Sequence, residues 1–248
     1  MCADASPQEL ALPLPPAELR WGGPRYTDDE WYLRSADVAA EVLVSRCGLS
    51  PDSRLLDIGC GQGRALIGVL RRLGRIAEYT GVDVHGPSID WAREQLAPAV
   101  PGIAARFVLI DVANERYRPD GAALRTDGRT LPVPDAGAGH PGFDVVNAYS
   151  VFSHMRLADI AVYLSEIARV LAPGGRVFVT AFVELGVPDE EENPGGYVRD
   201  WSGPLHCVRL NRHRFERLAH DAGLDVRGFA HAHTTDGQSS YVLESAAQ

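Results

Sequence analysis

From Ser53 to the C-terminus, short apolar runs alternate with segments in which apolar residues recur every three or four positions. The first pattern predicts buried strands and the second predicts amphipathic helices. Strands are expected over residues 54–58, 79–84, 105–110, 143–148 and 176–182, with helices over 64–73, 87–96 and 157–171 between them. The last of these helices runs into Pro173-Gly174-Gly175, a strong stop. A further helix over 211–222, ended by Gly223, leads to strands over 225–229 and 239–243. This alternation predicts an α/β fold: a doubly wound, mostly parallel sheet with helices on both faces. The last two strands have a short connection, so an antiparallel hairpin is expected at one edge.

Outside this rhythm the pattern is weaker. Residues 1–19 mix Ala, Pro and Leu without a period and are expected to be a flexible tail or a surface strap. Thr27 and Glu30 have capping-box spacing, and Asp28 and Asp29 suit the positive end of a helix dipole, so a helix is expected over 28–46. It would form a helical cap, residues 20–50, on a single domain spanning 20–248. Two stretches, 113–142 and 184–207, are long for plain connections and are expected to be lid-like insertions. The second carries Tyr197, Trp201, His206 and the acidic run 189–192.

Composition removes several function classes. All 24 basic residues are arginine, and the chain has no lysine. That excludes a phosphate-loop lysine, a lysine Schiff base and a Ser–Lys dyad. A formal charge of −9 argues against a general nucleic-acid backbone binder, without excluding a local basic patch. The four cysteines form no CxxC pair, which fits a reduced compartment better than a zinc or disulfide framework. The N-terminus has no basic-plus-apolar leader, and no apolar run reaches the length of a membrane span. A cytoplasmic protein with neither nucleic-acid nor membrane partner is expected; a homo-oligomer stays open.

The strongest chemical signal follows the first strand, in Asp57-Ile-Gly59-Cys-Gly61-Gln-Gly63-Arg64. Glycines at every second position let the backbone turn tightly and let a ligand approach without a Cβ in the way. Asp83 ends the second strand, 20 residues after Gly63, where a carboxylate can accept from ribose hydroxyls. Counted from Gly59, the dinucleotide fingerprint would need a glycine at position 64, which is Arg64, so the spacing fails for NAD.

The motif DIGCGQG after an apolar strand resembles the first motif of the class I S-adenosylmethionine-dependent methyltransferases. The resemblance continues through GVDV, LIDV, FDVVNAYSVFSH and VLAPGGRV and covers about residues 53–243. It implies a Rossmann-like seven-stranded sheet with only the last strand antiparallel, and S-adenosyl-L-methionine as cofactor. It also implies that Gly59, Gly61 and Gly63 line the methionine and ribose parts, with Asp57 near the cofactor's amino group. Asp83 would bind the ribose hydroxyls and Val84 would touch the adenine. Asp111 would accept from the adenine amino group, Val112 would offer a backbone N–H, and Asn147 would lie beside the methionine part.

Methyl transfer from a sulfonium mainly requires nucleophile, carbon and sulfur held in line. A hydroxyl acceptor also needs a base, and His154, just beyond the fourth strand, is the first candidate. The alternative is a structural histidine that caps or supports the start of the following helix. Glu184, after the fifth strand, is the second candidate base. His231 and His233 would face one side of an extended chain and, with Asp236 or Glu184, could hold magnesium. An unliganded pair is the commoner outcome, so no metal site is assigned. Trp21, Tyr26, Trp31 and Tyr32 suit either stacking on a sugar or packing of the cap.

The resulting expectation is a small-molecule O-methyltransferase whose acceptor is a sugar or oligosaccharide. The segment RYTDDEWYLRS and the lysine-free composition resemble actinobacterial enzymes that methylate mannosides or related polysaccharide precursors. The acidic charge suits a neutral acceptor. The alternatives are N- or C-methylation in a specialised-metabolite pathway, and a non-catalytic cofactor-binding partner or sensor.

Overall fold

The computed structural model describes residues 12–125 and 130–246. Among these, five parallel strands carry the sheet: β1 (Arg54–Ile58), β2 (Glu78–Asp83), β3 (Ala104–Leu109), β4 (Phe143–Ala148) and β5 (Leu171–Glu184). Their order is β3-β2-β1-β4-β5. The chain moves outward from β1 through β2 to β3 and then crosses back to place β4 on the other side of β1. Strand order therefore reverses between β1 and β4, where the C-terminal ends splay apart and leave a crevice.

Two short strands, β6 (Glu190–Glu192) and β7 (Val208–Asn211), pair with each other and extend the far end of β5. The final strands are β8 (Leu224–Ala230) and β9 (Ser239–Ser245). β9 runs antiparallel between β5 and β8, so the expected hairpin is present with its second strand inserted inside its first. Among the described residues the sheet thus has nine strands where seven are expected; it is mostly parallel, with β6 as well as β9 antiparallel to its neighbours.

Among the described residues, five α-helices cover it. α1 (Asp29–Cys47), α2 (Arg64–Leu73) and α3 (Gly86–Trp91) bury Tyr32, Leu43, Leu66 and Ile89 with Tyr79 and Phe107 of the sheet. α4 (Leu157–Val170) and α5 (Arg212–Asp221) bury Ile160, Leu164 and Phe215 on the other face with Phe143 and Tyr241. α1 starts one residue later than the capping-box spacing suggests. Asp28, not Thr27, is the cap, and its carboxylate accepts from Trp31 N–H at 2.7 Å. The helix expected over 87–96 is α3 followed by a wider turn at Ala92–Leu96.

Of the segment expected as a tail, residues 1–11 lie outside the described residues. Leu12 and Leu14 pack against the α1–α2 side of the core. The buried Gln62 side chain donates to the Leu19 carbonyl and to Ser88 Oγ, tying this strap to the glycine turn. The insertion expected as a loop over 184–207 contains β6, whose three glutamates are matched by Arg156 and Arg209. Among the described residues, no helix is long and apolar enough to cross a membrane.

Candidate active site

The crevice at the β1/β4 reversal opens into a cavity of about 930 Å³. This is near the upper end of the range for small-molecule sites, about 300–1,000 Å³. The turn after β1 forms its floor. Gly59, Gly61 and Gly63 all have positive φ, a region open mainly to glycine. A Cβ on Gly59 would meet Val151 Cγ2 at 2.5 Å, so this turn packs tightly beneath the β4 loop. A Cβ on Gly61 would meet nothing within 4 Å. That residue lines the cavity and presents bare backbone to it.

Asp83, at the end of β2, locks the turn. Its carboxylate accepts from Gly61 N–H at 2.7 Å and from His85 N–H at 2.8 Å. Burial raises its pKa, and the two backbone donors oppose that rise. The carboxylate keeps lone pairs for a diol in the cavity. Asp57, inside β1, is 2% exposed and accepts from Tyr79 Oη and from Asn147 Nδ2, both at 2.7 Å. Burial pushes its carboxyl up to about 6. Asn147 therefore orients Asp57 as well as lining the cavity. This bare-backbone turn flanked by two carboxylates fits a ligand carrying a ribose diol and an ammonium group.

The structure gathers Asp57, Gly59, Gly61 and Asp83 with Val84, Val112, Asn147 and His154 around this one cavity. Gly63 sits behind the turn, with Leu96 and Phe107 where its Cβ would be. Asp111 turns outward: its side chain is 63% exposed and pairs with Arg118 at 2.9 Å. It does not line the cavity, because the loop after β3 brings Arg118 against its carboxylate.

His154 lines the same cavity as the glycine turn. Its Nδ1 lies 2.9 Å from the Leu205 carbonyl, so Nδ1 carries the proton and Nε2 keeps its lone pair. Burial lowers its pKa to about 4, with Arg116 adding to the effect. The ring is neutral at physiological pH. Glu184 is not part of the cavity wall: it accepts from Tyr197 Oη at 3.1 Å and pairs with His231 at 2.9 Å.

The magnesium arrangement does not assemble. Ala232 has φ +42°, which breaks the extended chain between the two histidines. His231 goes to Glu184, while His233 lies 3.0 Å from an Arg46 nitrogen. Asp236 bonds instead to Thr234 and, at 2.7 Å, to Gln238 Nε2. No group of three or more potential metal ligands occurs among the described residues.

Several cavity residues escaped sequence reasoning. Tyr117 packs edge-on between Trp21 at 5.5 Å and His154 at 5.6 Å, and no periodicity marks it. Gln238 joins three elements: it accepts from Thr180 Oγ1 at 2.7 Å and donates to Ser150 Oγ at 2.9 Å and to Asp236. Ser150, at φ +56°, is the strained start of the loop that carries His154. The strain itself could have been suspected only from the abrupt end of β4.

Comparison with known proteins agrees with this geometry. Residues 56–177 match the model of a family described as a methyltransferase domain. The chain is 31% identical to 27-O-demethylrifamycin SV methyltransferase of Amycolatopsis mediterranei over 211 residues, covering 83% of this chain and 64% of that one. It is 28% identical to O-methyltransferase rstn1 of Aspergillus nomiae, covering 67% and 65%. Against the first curated relatives it spans between 36% and 65% of their length. Among solved structures, the [4+2]-cyclase SpnF superposes with TM-score 0.59 at 18% identity, covering 87% of this chain and 82% of that one. At that identity the likeness concerns the fold alone.

Proposed function

This chain belongs to the class I S-adenosylmethionine-dependent methyltransferases, and on that premise we propose that it methylates a hydroxyl of a small-molecule acceptor. The observation that carries the O-methyl reading is His154. A neutral imidazole, fixed in one tautomer by the Leu205 carbonyl, shares a cavity with the Asp57–Gly61–Asp83 turn. Such a group is what a hydroxyl acceptor requires and an amine acceptor does not.

The roles follow from position. Asp83 would hold the ribose diol and Asp57 the ammonium, with Gly61 giving the backbone clearance. Val84 and Val112 would flank the adenine. The cofactor, when bound, would supply an activated methyl group on a positive sulfur, with a neutral thioether as the leaving group. His154 Nε2 would take the hydroxyl proton. Asn114 donates to the His154 carbonyl at 3.0 Å and the Leu205 carbonyl holds its ring, so the base is preorganised. Trp21 and Tyr117 meet edge-on at the cavity wall.

The acceptor we propose is a sugar or oligosaccharide. The wall around His154 mixes aromatic faces (Tyr117, Trp201) with hydrogen-bonding side chains (Asp236, Gln238), a pairing suited to the apolar faces and hydroxyls of a sugar ring. The O-methyltransferase names of three relatives support the reaction type without fixing the acceptor. A labelled-methyl assay against mannosides, other oligosaccharides, phenols and amines tests the reading. Label on a sugar hydroxyl is the expected result; label on amines alone would overturn it.

A further inference from the structure

This acidic chain turns unpaired cations toward its cavity. Many of its guanidiniums meet carboxylates: Arg54 meets Asp144 at 2.8 Å, Arg156 meets Glu192 at 2.9 Å, and Arg212 meets Glu216 at 2.7 Å. Arg116 and Arg199 line the cavity, and among the described residues neither has a carboxylate at ion-pair distance. Each lies on an aromatic face instead, Arg116 5.5 Å from the centre of the Tyr117 ring and Arg199 4.3 Å from that of Trp201.

Both lead back to the same histidine. The Tyr117 ring meets the His154 ring at 5.6 Å, and Trp201 meets His206 at 5.1 Å. His206 follows Leu205, whose carbonyl holds His154 Nδ1 at 2.9 Å. Two guanidiniums from separate insertions thus converge on His206, beside the loop that holds His154, and Arg116 also acts on His154 itself. Arg116 Nε is buried and has no hydrogen-bond partner. Buried donors in folded proteins are nearly always satisfied, and a guanidinium fork matches carboxylate and phosphate geometry.

The glycine turn has its own cation. Arg64 lies 5.6 Å from the Tyr149 ring and donates to the Ser35 carbonyl at 3.1 Å. Beyond the effect of burial, Arg64 acts on Asp57 and Tyr149, whereas Arg116 acts on His154 and His206, and Arg199 on His206. Arg116 and Arg199 therefore serve the acceptor end of the cavity.

We propose that Arg116 and Arg199 form an anion subsite, so that the methylated molecule carries a carboxylate or phosphate close to the hydroxyl facing His154. The proposal rests on the methyl-transfer reading and refines its acceptor. It replaces the neutral acceptor that net charge alone suggests. At His154 the Asp236 carboxylate already opposes Arg116, and an anion held there adds to Asp236, so His154 becomes a stronger base when acceptor is bound.

The test is a calorimetric titration of the full chain, saturated with S-adenosylhomocysteine, with glucuronate, glucose 1-phosphate and methyl glucoside. One or both anions should bind at least tenfold more tightly than the neutral glycoside, and which one binds identifies carboxylate or phosphate. R116Q and R199Q should each weaken anion binding at least tenfold. R227Q, at an exposed pair with Glu244 on β8, should not. Equal affinity for all three compounds, no binding of either anion, or undiminished anion binding in R116Q and R199Q would overturn the proposal. Unchanged S-adenosylhomocysteine affinity in the variants shows that they fold. If the wild type fails to bind S-adenosylhomocysteine, the methyl-transfer reading falls; the same anion titrations without it still decide the arginine subsite.

Discussion

His154→Asn separates the two things this side chain does. The Asn Nδ2 falls where the imidazole Nδ1 lies, so the donor to the Leu205 carbonyl is kept while the Nε2 lone pair is lost. If Nε2 is the base, turnover on a hydroxyl acceptor should fall roughly 10²–10⁴-fold with cofactor affinity unchanged. Because burial holds the ring's pKa near 4, wild-type turnover at saturating cofactor should show no fall from this group between about pH 8 and 5.5. The stability effect has a definite sign. The unfolded chain takes up this proton near 6.5, the folded chain only near 4, so the fold loses stability as pH drops through that window. The gap is worth roughly 3 kcal/mol below pH 4. Asp57, which burial pushes up to about 6, acts in the opposite sense, because its proton stabilises the fold as pH falls. The quantity to read is therefore the wild-type minus variant difference in urea-unfolding free energy from pH 7.5 to 4. Full turnover in the variant, with chemistry limiting, would refute the base assignment. A difference that stays flat with pH would refute the buried, neutral imidazole.

Three further outcomes are expected. The affinity for S-adenosylhomocysteine should be level above about pH 6 and fall by up to tenfold per pH unit below it, as Asp57 takes up a proton and loses its charge; a pH series of titrations checks this, and D57N should flatten the fall. Gly68→Ala, whose Cβ would lie 2.0 Å from the Ala36 carbonyl oxygen where α1 crosses α2, should cost about 1–3 kcal/mol in urea unfolding without altering cofactor affinity at 25 °C. EDTA should leave methyl transfer unchanged, because His231 and His233 are held apart by their separate partners; a loss restored by magnesium would contradict this.

The parts of the fold that local pattern determines were legible in the chain. β1, the glycine turn and α2 coincide with their expected bounds because an apolar run, positive-φ glycines and an amphipathic repeat each act within a few residues. What depends on distant pairing was not. The acidic run 189–192 reads as part of a lid-like insertion, yet Glu190–Glu192 becomes β6 once Val208–Asn211 lies alongside and Arg156 and Arg209 neutralise it. Asp111 has the strand-end position of a ligand carboxylate, and only the return of the chain at Arg118 turns it outward. His231 and His233 look like a pair until the kink at Ala232 parts them. Arg116 and Arg199 sit in insertions without periodicity, and nothing local distinguishes them from the many arginines that find carboxylates.

The central claim is that the β1 turn and Asp83 bind the sulfonium cofactor and its product. Equilibrium titration of the wild type and D83A with S-adenosylhomocysteine, read by calorimetry and by thermal unfolding, tests it most directly. The wild type should bind and gain roughly 2.7 kcal/mol of stability at 100 times the Kd. D83A removes an acceptor for two hydroxyls, each hydrogen bond to a carboxylate being worth about 1.5–3 kcal/mol, so its affinity should fall by about 100-fold or more. No binding and no shift in Tm for a folded wild type at millimolar ligand would contradict the account, as would equal affinity in D83A.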